Sequence, residues 1–463
     1  MTDITDGLPL QLTKVPGPRG LPLVGVAFDF IRDPLRYMER MLRQYGRIYR
    51  VSLGQTSLVL LHDADLVEKV LRLDFASYGM SRQQEALLGP LLGHSMPVVT
   101  DHAYWEQLHS MMLPMFSPKM LQGYLVQTVA AVQEEVDHLA ELQHDGKTVE
   151  MYDFVRAGVF GALMRTLFVR GLEHSEIPQL LDWFSRTDTY INALVLSGGS
   201  SLVKLLPKVR DGARCLKRID ERVYRLIAER KAHRVDEPED MLDVLLAAVK
   251  KDGSPLSDVE LRDNVVALLF GGQETTPTIA TWAFGLLAAN PDKRRIMLDE
   301  IDRVLQGRVP TWADLAKLEY TEMVLDEALR LYPPFLFIGR EALVDTSLEG
   351  YEISKGTSLG FVAWTVHRDP RLWPDPERFE PERHSKEQKR SRAKCAFLSF
   401  GHGQRRCVGE RVGRMEGLLM LSMISQRFLL DHANGKLPEP RVQMAIKPAG
   451  GMHMRITPRV PQQ

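Results

Sequence analysis

Hydrophobic and polar residues follow two different periods along this chain of 463 residues. From residue 63 to residue 331 the pattern is mostly helical, whereas short β-rich segments lie near residues 48–61 and within residues 336–463. We find no internal repeat and no flexible linker between these parts. The pattern therefore predicts a mainly α-helical fold with small β-sheets, of the α+β class, organised as one domain over residues 1–463.

Local signals place two elements near the start of the chain. Asp33 is a helix cap and Gly46 a helix stop, so we predict a helix from Pro34 to Tyr45. Two β-rich runs, Ile48 to Leu53 and Ser57 to Leu61, flank Gly54-Gln55 and predict a β-hairpin.

One predicted helix is unusually long. The capping box Ser257-x-x-Glu260 begins a helical pattern that runs from Asp258 to Ala289. At 1.5 Å per residue this helix is roughly 48 Å long, which is enough to cross the molecule. Its middle, Val265 to Gly272, is apolar on every face, so we expect it to run through the core.

Charge does not select a macromolecular partner. Lysine and arginine number 59, and aspartate and glutamate 60, which gives a formal net charge of −1. We therefore expect no binding to nucleic acid or to an anionic lipid surface. Asp3 and Asp6 stand where an export signal carries positive charge, and the apolar run Leu21 to Phe28 is shorter than the ~20 residues of a membrane span. We expect no export signal and no membrane anchor.

The cysteines indicate a reducing compartment. There are three, Cys215, Cys395 and Cys407, and none has the C-x-x-C spacing of a zinc or redox site. Their odd number also argues against a disulfide framework, so a cytoplasmic location fits best. A buried, inert thiol is the preferred interpretation of Cys215 and Cys395.

Cys407 has a different setting. It ends a glycine-punctuated loop that begins at Phe400, and a helical pattern starts directly after Gly409. Amides at a helix N-terminus and the neighbouring Arg405 and Arg406 favour a thiolate. A thiolate is the ligand that lets heme iron activate oxygen, because it pushes electron density toward the metal. Phe400 could shield the sulfur, and Gly409 would let the helix approach a flat macrocycle.

This stretch resembles the F-G-x-G-x-R-x-C-x-G signature of the cytochrome P-450 family of heme-thiolate monooxygenases, in its soluble bacterial type. The resemblance implies heme b (iron protoporphyrin IX) held between the long central helix and the cysteine loop. It implies that Cys407 is the iron ligand and that Arg405 pairs with a heme propionate, with Phe400 and Gly409 beside the cofactor.

A second motif is similar to a structural part of the same family. Glu327 and Arg330 share a helix face, and Arg378 follows in Pro376-Glu377-Arg378-Phe379. By itself an E-x-x-R pair is common on protein surfaces. The resemblance implies that Glu327, Arg330 and Arg378 form a buried network that supports the heme loop.

The long helix carries a polar insertion at Gly271 to Thr276, which is costly in a core helix and indicates function. It resembles the family's [AG]-G-x-[DE]-T-[TS] pattern. Thr275 would hold dioxygen and a water by hydrogen bonds, and Glu274 would help to deliver protons. Pro277 has no N–H for the carbonyl of Gln273, so we expect the helix to open or kink here. A glycine packing notch with a solvated glutamate is the alternative.

Two further sites match residues that hold heme propionates in the family. Trp105-Glu-Gln-Leu-His109 is similar to W-x-x-x-R, but it has histidine where the family usually has arginine. A neutral histidine donates one hydrogen bond and carries less charge. A histidine without this contact is an equal alternative. Arg340 matches the arginine that often serves the other propionate.

The resemblance also places the substrate pocket. The expected lining is mostly apolar and indicates a lipophilic substrate, such as a terpenoid, steroid, fatty acid or polyketide, although apolar linings are common. The lining residues that we expect are Ala267, Phe270, Phe335, Phe337, Ile338 and Met452.

Electrons should come from another protein, since the chain has no flavin or iron–sulfur motif. A basic run ahead of the heme loop could dock an acidic ferredoxin or flavodoxin, itself reduced by a reductase. A solvated loop is the equal alternative. The run consists of Lys386, Lys389, Arg390, Arg392 and Lys394.

The leading interpretation is a monooxygenase that inserts one atom of dioxygen into a lipophilic small molecule by hydroxylation or epoxidation. A peroxide-driven or isomerising enzyme of the same fold is a first alternative, although such chemistry does not need the Glu274-Thr275 pair. A non-catalytic heme sensor or carrier is the second.

Overall fold

The computed structural model describes residues 13–21, 24–53, 56–144, 147–197 and 201–459. Over these residues the protein is mainly helical with small sheets, as predicted. The helices are α1 Ala27–Arg32, α2 Pro34–Tyr45, α3 Ala64–Glu68, α4 Arg82–Leu92, α5 His102–Met112, α6 Pro118–His144, α7 Met151–Leu167, α8 Ile177–Leu196, α9 Pro207–Ala232, α10 Met241–Ala247, α11 Asp258–Ala289, α12 Pro291–Leu305, α13 Trp312–Leu315, α14 Glu319–Leu331, α15 Ala363–Val366, α16 Lys386–Ser391 and α17 Glu410–Arg427.

The strands form four small sheets. They are β1 Ile48–Leu53, β2 Thr56–Leu61, β3 Tyr78–Gly79, β4 Thr148–Glu150, β5 Phe337–Ala342, β6 Thr346–Leu348, β7 Tyr351–Ile353, β8 Ser358–Val362, β9 Phe428–His432, β10 Pro440–Val442, β11 Ile446–Pro448 and β12 His453–Pro458. The largest sheet has the order β1-β2-β8-β5-β3, and the others are β4-β12-β9, β10-β11 and β6-β7. The largest sheet therefore joins strands from residues 48–79 with strands from residues 337–362.

The predicted elements near the start of the chain are confirmed. Asp33 accepts a hydrogen bond from the N–H of Arg36, and Gly46 ends α2 with a φ of 81°. The strands β1 and β2 pair antiparallel from Ile48↔Leu61 to Leu53↔Thr56. The turn Gly54-Gln55 itself lies outside the described residues.

The long helix α11 has the predicted bounds. Ser257 and Glu260 form both bonds of the capping box, at 2.7 and 3.2 Å. Nearly all side chains from Leu261 to Leu287 are buried, and α11 packs against α7, α9, α14 and α17. The helix continues through Pro277, so the predicted opening does not interrupt it. α11 is thus the central wall on which the site is built.

Among the described residues, no helix is both long enough and apolar enough to cross a lipid bilayer.

Candidate active site

A cavity of about 470 Å³ lies between α11 and the loop that carries Cys407. Side chains from α4, α5, β5 and α11 form its walls, and most of them are apolar. Cys407, Thr275 and Arg405 are among the few polar groups that reach it. The structure therefore brings the hydroxyl of Thr275 to the same cavity as Arg405 and Cys407, which lie about 130 positions later in the sequence.

Glycines shape the cysteine loop as predicted. Gly401 and Gly403 have φ values of 72° and 74°. A Cβ at Gly403 would lie 2.0 Å from the carbonyl oxygen of Leu71, so only glycine fits this close approach. The N–H of Cys407 donates to the carbonyl of Phe400 at 2.9 Å. The loop thus holds its cysteine against the cavity.

The thiol of Cys407 is subject to opposing influences. Burial raises its pKa, whereas the backbone N–H groups of Gly409 and Glu410 and the charge of Arg406 lower it. Burial has the larger effect, so the pKa of the free thiol lies above its ordinary value. The backbone N–H groups and Arg406 thus act in the predicted direction, but burial outweighs them in the free thiol. A metal ion bonded to the sulfur would remove the proton instead.

Two arginines, the buried Arg340 and the half-buried Arg405, face the cavity with unused buried donors. Arg405 lies 4.5 Å from the ring centre of Trp105, and its Nη1 donates to the carbonyl of Val99 at 3.2 Å. Its Nε and Nη2, and the Nε of Arg340, have no hydrogen-bond partner among the described residues. Burial lowers the pKa of Arg340 to about 9 and that of Arg405 to about 10, and the charge of Arg405 adds to the effect on Arg340.

These donors fit the cofactor that the cysteine implies. Unpaired buried guanidinium groups are costly, and two carboxylates would satisfy them by charge-assisted hydrogen bonds. The propionates of heme are such carboxylates, and the thiol of Cys407 opens into the same cavity. The residues present therefore fit a heme.

His109 lies beside this pair of arginines. Its ring centre is 5.0 Å from that of Trp105. Burial lowers the pKa of His109, and the positive charge of Arg405 lowers it further, so the ring is neutral at pH 7. His109 also lines the cavity. Its contact with a propionate stays a prediction.

We expect His109→Arg to retain heme at least as well as the wild type, because a guanidinium offers a stronger charge-assisted bond to a propionate. The measurement is the rate of heme transfer to excess apomyoglobin. His109→Phe, which keeps an aromatic ring against Trp105 but has no ring N–H, is the control for altered packing. Markedly faster heme loss from His109→Arg would show that His109 has a different role.

Glu274 and Thr275, the two predicted catalytic residues of the polar insertion in α11, face different surroundings. Thr275 lines the cavity, and its hydroxyl donates to the carbonyl of Gly271 at 2.7 Å, which leaves the oxygen free to accept. Glu274 does not line the cavity. Its Oε2 accepts from the hydroxyl of Tyr152 at 2.8 Å and its Oε1 from Nζ of Lys447 at 2.8 Å. Both of its oxygens are thus occupied.

A second buried carboxylate belongs to the same polar cluster. Asp188 on α8 accepts from Nη2 of Arg156 at 2.6 Å and from the amide of Gln273 at 3.3 Å. Burial raises the pKa of Asp188, and the charge of Glu274 raises it further against the opposing charge of Arg156. The cluster thus links α7, α8, α11 and β11.

The predicted glutamate–arginine pair is confirmed. Nε and Nη2 of Arg330 donate to the two carboxylate oxygens of Glu327 at 2.7 and 2.8 Å, and both side chains have no exposed surface. Nη1 of Arg330 donates to the carbonyls of His367 and Pro376 at 2.8 and 2.7 Å. The pair therefore fixes two segments of the chain ahead of the cysteine loop.

The prediction that Arg378 is the third side chain of this buried network is wrong. The Arg378 side chain is 67% exposed and pairs with Glu380 at 3.0 Å, so only its carbonyl reaches Arg330. Arg383 takes its place, with Nε 3.5 Å from Glu327, and His384 Nε2 lies 2.9 Å from the same carboxylate. The sequence carries Pro-Glu-Arg twice, five positions apart, and the arginine of the second copy is the one turned inward.

His367 supports the loop and was not predicted. Its Nδ1 lies 3.0 Å from the carbonyl of Arg330, and its Nε2 accepts from the N–H of Leu398 at 2.8 Å. Burial keeps its pKa well below the ordinary value, so the ring is neutral. A lone histidine with no motif around it gives no signal in the sequence.

Most of the predicted pocket residues line the cavity, namely Ala267, Phe270, Phe335, Phe337 and Ile338. Met452 does not, and that prediction is wrong. A Cβ on Gly285 would lie 2.4 Å from the Met452 methyl, so Met452 packs against the far part of α11. Met444, in the turn between β10 and β11, lines the cavity instead.

The basic run ahead of the loop is largely paired. Lys389 lies 2.7 Å from the buried Asp326, and Lys386 lies 2.7 Å from Glu319. Arg392 stacks on the ring of Trp373 at 4.1 Å. Lys394 is 4.0 Å from Glu68. Arg390, on α16, is exposed. Nearby carboxylates therefore compensate much of the positive charge of this run.

Comparison with known proteins agrees with this geometry. The model of the family described as Cytochrome P450 matches residues 15–454. The chain is 31% identical to the cyclooctat-9-en-7-ol 5-monooxygenase of Streptomyces melanosporofaciens, over 89% of this chain and 88% of that protein. It is 28% identical to the pentalenene oxygenase of Streptomyces avermitilis, over 98% of this chain and all (100%) of that protein.

Solved structures show the same fold. The cytochrome P450DA heme domain superposes with a TM-score of 0.87 at 24% identity, over 97% of this chain and 99% of that one. The retinoic acid-bound cyanobacterial CYP120A1 superposes with a TM-score of 0.86 at 25% identity, over 97% of this chain and 100% of that one.

The fold, the cavity cysteine and the two arginines of the cavity together define a heme-binding oxidoreductase that incorporates molecular oxygen. The chain belongs to the cytochrome P450 family.

Proposed function

We propose that this protein is a monooxygenase that hydroxylates or epoxidises a cyclic terpenoid, with electrons from a separate ferredoxin or flavodoxin. The observation that carries the proposal is the cavity, in which the Cys407 thiol and the Thr275 hydroxyl open into a mostly apolar space. Dioxygen is the co-substrate.

Heme b is the proposed cofactor, and it would supply the iron centre that activates dioxygen. Cys407 would hold the iron, and Arg340 and Arg405 would pair with the propionates. Trp105 and His109 would lie beside the same propionates, while Phe400 and Gly409 would lie beside the sulfur. Glu327, Arg330 and Arg383 hold the loop in place.

Two observations support a terpenoid substrate. The walls around Phe270, Phe337 and Met444 are apolar, so a hydrocarbon skeleton binds there without leaving polar groups unpaired. Two relatives bear names that state action on cyclooctat-9-en-7-ol and on pentalenene. Both compounds are cyclic terpenoids.

A binding screen tests the substrate class. Cyclic terpene hydrocarbons and alcohols, a steroid, a fatty acid and a macrolide are titrated into the heme-loaded enzyme, and the shift of the heme absorption band is followed. We expect saturable shifts with terpenoids at the lowest concentrations. Tighter binding of the fatty acid or steroid would overturn the terpenoid assignment without affecting the heme site.

We expect Thr275→Ala to bind heme normally but to divert reducing equivalents into hydrogen peroxide, with product per electron falling several-fold. The Thr275 hydroxyl would direct protons in the cavity, and alanine cannot. The measurement is the amount of hydrogen peroxide and the amount of product formed per electron consumed. Thr278→Ala is the matched control, because that hydroxyl donates to the carbonyl of Glu274 at 2.7 Å and does not line the cavity. Equal coupling in Thr275→Ala and the wild type would contradict the role of Thr275.

Electron delivery through α16 is tested at Arg390. If an acidic donor docks there, Arg390→Glu should slow its reduction of the enzyme and flatten the dependence on ionic strength, because salt screens the attraction. Lys389→Glu is unsuitable, since it would place a second carboxylate beside the buried Asp326. Stopped-flow reduction at low and high salt is the measurement. Identical rates and identical salt dependence in the wild type and Arg390→Glu would show that α16 is an ordinary solvated surface.

The alternatives make different predictions. A peroxide-driven or isomerising enzyme would turn over without reductant, and a heme sensor would not consume dioxygen at all. Reductant-dependent consumption of dioxygen by the loaded enzyme separates the three.

A further inference from the structure

Gln84 on α4 carries a side-chain amide that lines the cavity. The backbone N–H of this residue donates to Oγ of Ser81 at 3.4 Å, but its side-chain amide has no hydrogen-bond partner among the described residues. The residue is half-buried, so the amide is open to the cavity. An amide has two N–H donors and one carbonyl acceptor, and an apolar ligand that covers it removes their bonds to water without replacing them.

Other polar side chains of the cavity wall have partners or a proposed cofactor contact. Ser399 donates to a backbone carbonyl at 2.8 Å, and Arg406 forms an ion pair with Glu410 at 2.6 Å. The hydroxyl of Thr276 shares a hydrogen bond with a carboxyl of α17. The side chains that the proposed function assigns to heme and dioxygen are Trp105, His109, Thr275, Arg340, Arg405 and Cys407. Gln84 is thus a polar group for which neither the described protein nor the cofactor supplies a partner.

A glycine in β5 makes room for this amide. A Cβ at Gly339 would lie only 2.8 Å from Oε1 of Gln84. Gly339 and Arg340 are successive residues of a strand, in which side chains alternate between the two faces. The amide therefore lies on the face of β5 that carries Phe337, a residue of the apolar wall, and not on the face from which Arg340 would reach a propionate.

The helix that carries Gln84 is held in place on both sides of this residue. Arg82 donates to the carboxylate of Glu341 on β5, from its backbone N–H at 3.0 Å and from its Nε at 2.8 Å. The hydroxyl of Thr100 donates to Oε2 of Glu85 at 3.0 Å. The backbone of Gln84 is therefore fixed relative to the cavity, and an amide at a fixed position selects the orientation of a ligand.

We propose that Gln84 determines substrate specificity by hydrogen-bonding an oxygen atom that the terpenoid already carries, so that the substrate is a terpenoid alcohol or ketone and not a bare hydrocarbon. The proposal rests on the proposed function, because it concerns the substrate of the same cavity. A hydroxyl matches the amide best, since it accepts from Nε2 and donates to Oε1, whereas a ketone only accepts.

The proposal also places the reaction in a sequence. A terpenoid that reaches the cavity with an oxygen atom has been cyclised with capture of water or has been oxygenated before. One of these two classes of reaction must therefore supply the substrate, and this protein adds a later oxygen atom.

The first test measures binding and needs no turnover. Matched pairs of an alcohol and its parent hydrocarbon, namely menthol with menthane, borneol with bornane and cedrol with cedrane, are titrated into the heme-loaded enzyme. The shift of the heme absorption band gives both Kd values. Within a pair, the preference for the alcohol should fall about 2- to 12-fold in Gln84→Leu, which is the range for one net hydrogen bond. The hydrocarbon, which has no oxygen, corrects for changes in packing.

Gln83→Leu is the matched control, because Gln83 precedes Gln84 on α4 and does not line the cavity. Its preference for the alcohols should equal that of the wild type. The same preference in Gln84→Leu and the wild type, in every pair, would overturn the proposal.

Gly339→Ala tests the same amide without replacing it. Apart from its chain neighbours, the new Cβ would meet only atoms of Gln84 within 4 Å among the described residues, and it would displace this flexible side chain. We expect the preference for the alcohols to fall here too. If Gln84→Leu fails to fold, Gly339→Ala carries the test, and an unchanged preference in it would overturn the proposal.

Heme transfer to apomyoglobin separates the two possible ligands of the amide. Gln84→Leu should release heme at the wild-type rate. Markedly faster release would show that the amide serves a propionate, which would overturn the proposal. Failure of the proposed function is seen separately, as wild-type enzyme whose heme band shifts with neither the alcohols nor the hydrocarbons.

Discussion

Cys407→Ser should abolish the absorption band that thiolate ligation gives to the reduced carbon monoxide complex of the loaded protein. A serine hydroxyl does not ionise in this pocket and lacks the polarisable sulfur that donates electron density to iron. The loop itself should remain, because its turns depend on Gly401 and Gly403 and on the N–H of residue 407, which serine keeps. The measurement is the difference spectrum of the reduced protein with and without carbon monoxide.

Cys395→Ser is the matched control. Cys395 is buried beside the same loop, but burial raises its pKa to about 12 and it does not line the cavity. Its replacement should leave the band unchanged. A band that survives in Cys407→Ser would show that another residue holds the iron.

Glu327→Gln should cost about 3–5 kcal/mol of folding free energy, because it leaves the guanidinium of Arg330 buried without its counter-charge. Burial alone would raise the pKa of Glu327, but the hydrogen bonds from Arg330 and His384 and their charges hold it below the usual range. The stabilisation is therefore fully present above the unfolded pKa of about 4.3 and is lost as the pH falls through the lower folded pKa. Urea unfolding of the loaded protein at several pH values measures both effects.

Arg378→Ala serves as the control for this network. Its side chain is 67% exposed, so the loss should be about 0–1 kcal/mol. Arg383→Ala should fall between the two, since its Nε lies 3.5 Å from Glu327. A large loss in Arg378→Ala with little change in Glu327→Gln would contradict the assignment of Arg383.

The parts of the fold that the sequence predicted well depend on local chemistry. The bounds of α2 and α11 follow from caps, proline and glycine within a few residues of each end. The cysteine loop is equally local, because its turns and its cysteine lie within ten positions. Such signals need no knowledge of the rest of the chain.

The residues that were missed depend on contacts between distant segments. Two Pro-Glu-Arg copies look alike in sequence, and only the packing against α14 selects Arg383 over Arg378. Met444 and Met452 flank the same strand, and only the position of the hairpin shows which one reaches the cavity. The hydrogen-bond partners of Glu274, Tyr152 and Lys447, are likewise set by the assembled chain and not by any motif.

The ion pair between Glu274 and Lys447 also has a consequence for biosynthesis. The two residues are 173 positions apart. At a translation rate of about 5–20 residues per second, the ribosome adds Lys447 roughly 9–35 s after Glu274. During that interval the nascent chain holds an acidic residue in the middle of its most apolar helix with no ammonium group to neutralise it. The central helix α11 cannot complete its native contacts until the β10–β11 hairpin, which carries Lys447, leaves the exit tunnel. Chains that terminate before residue 447 should therefore be prone to degradation.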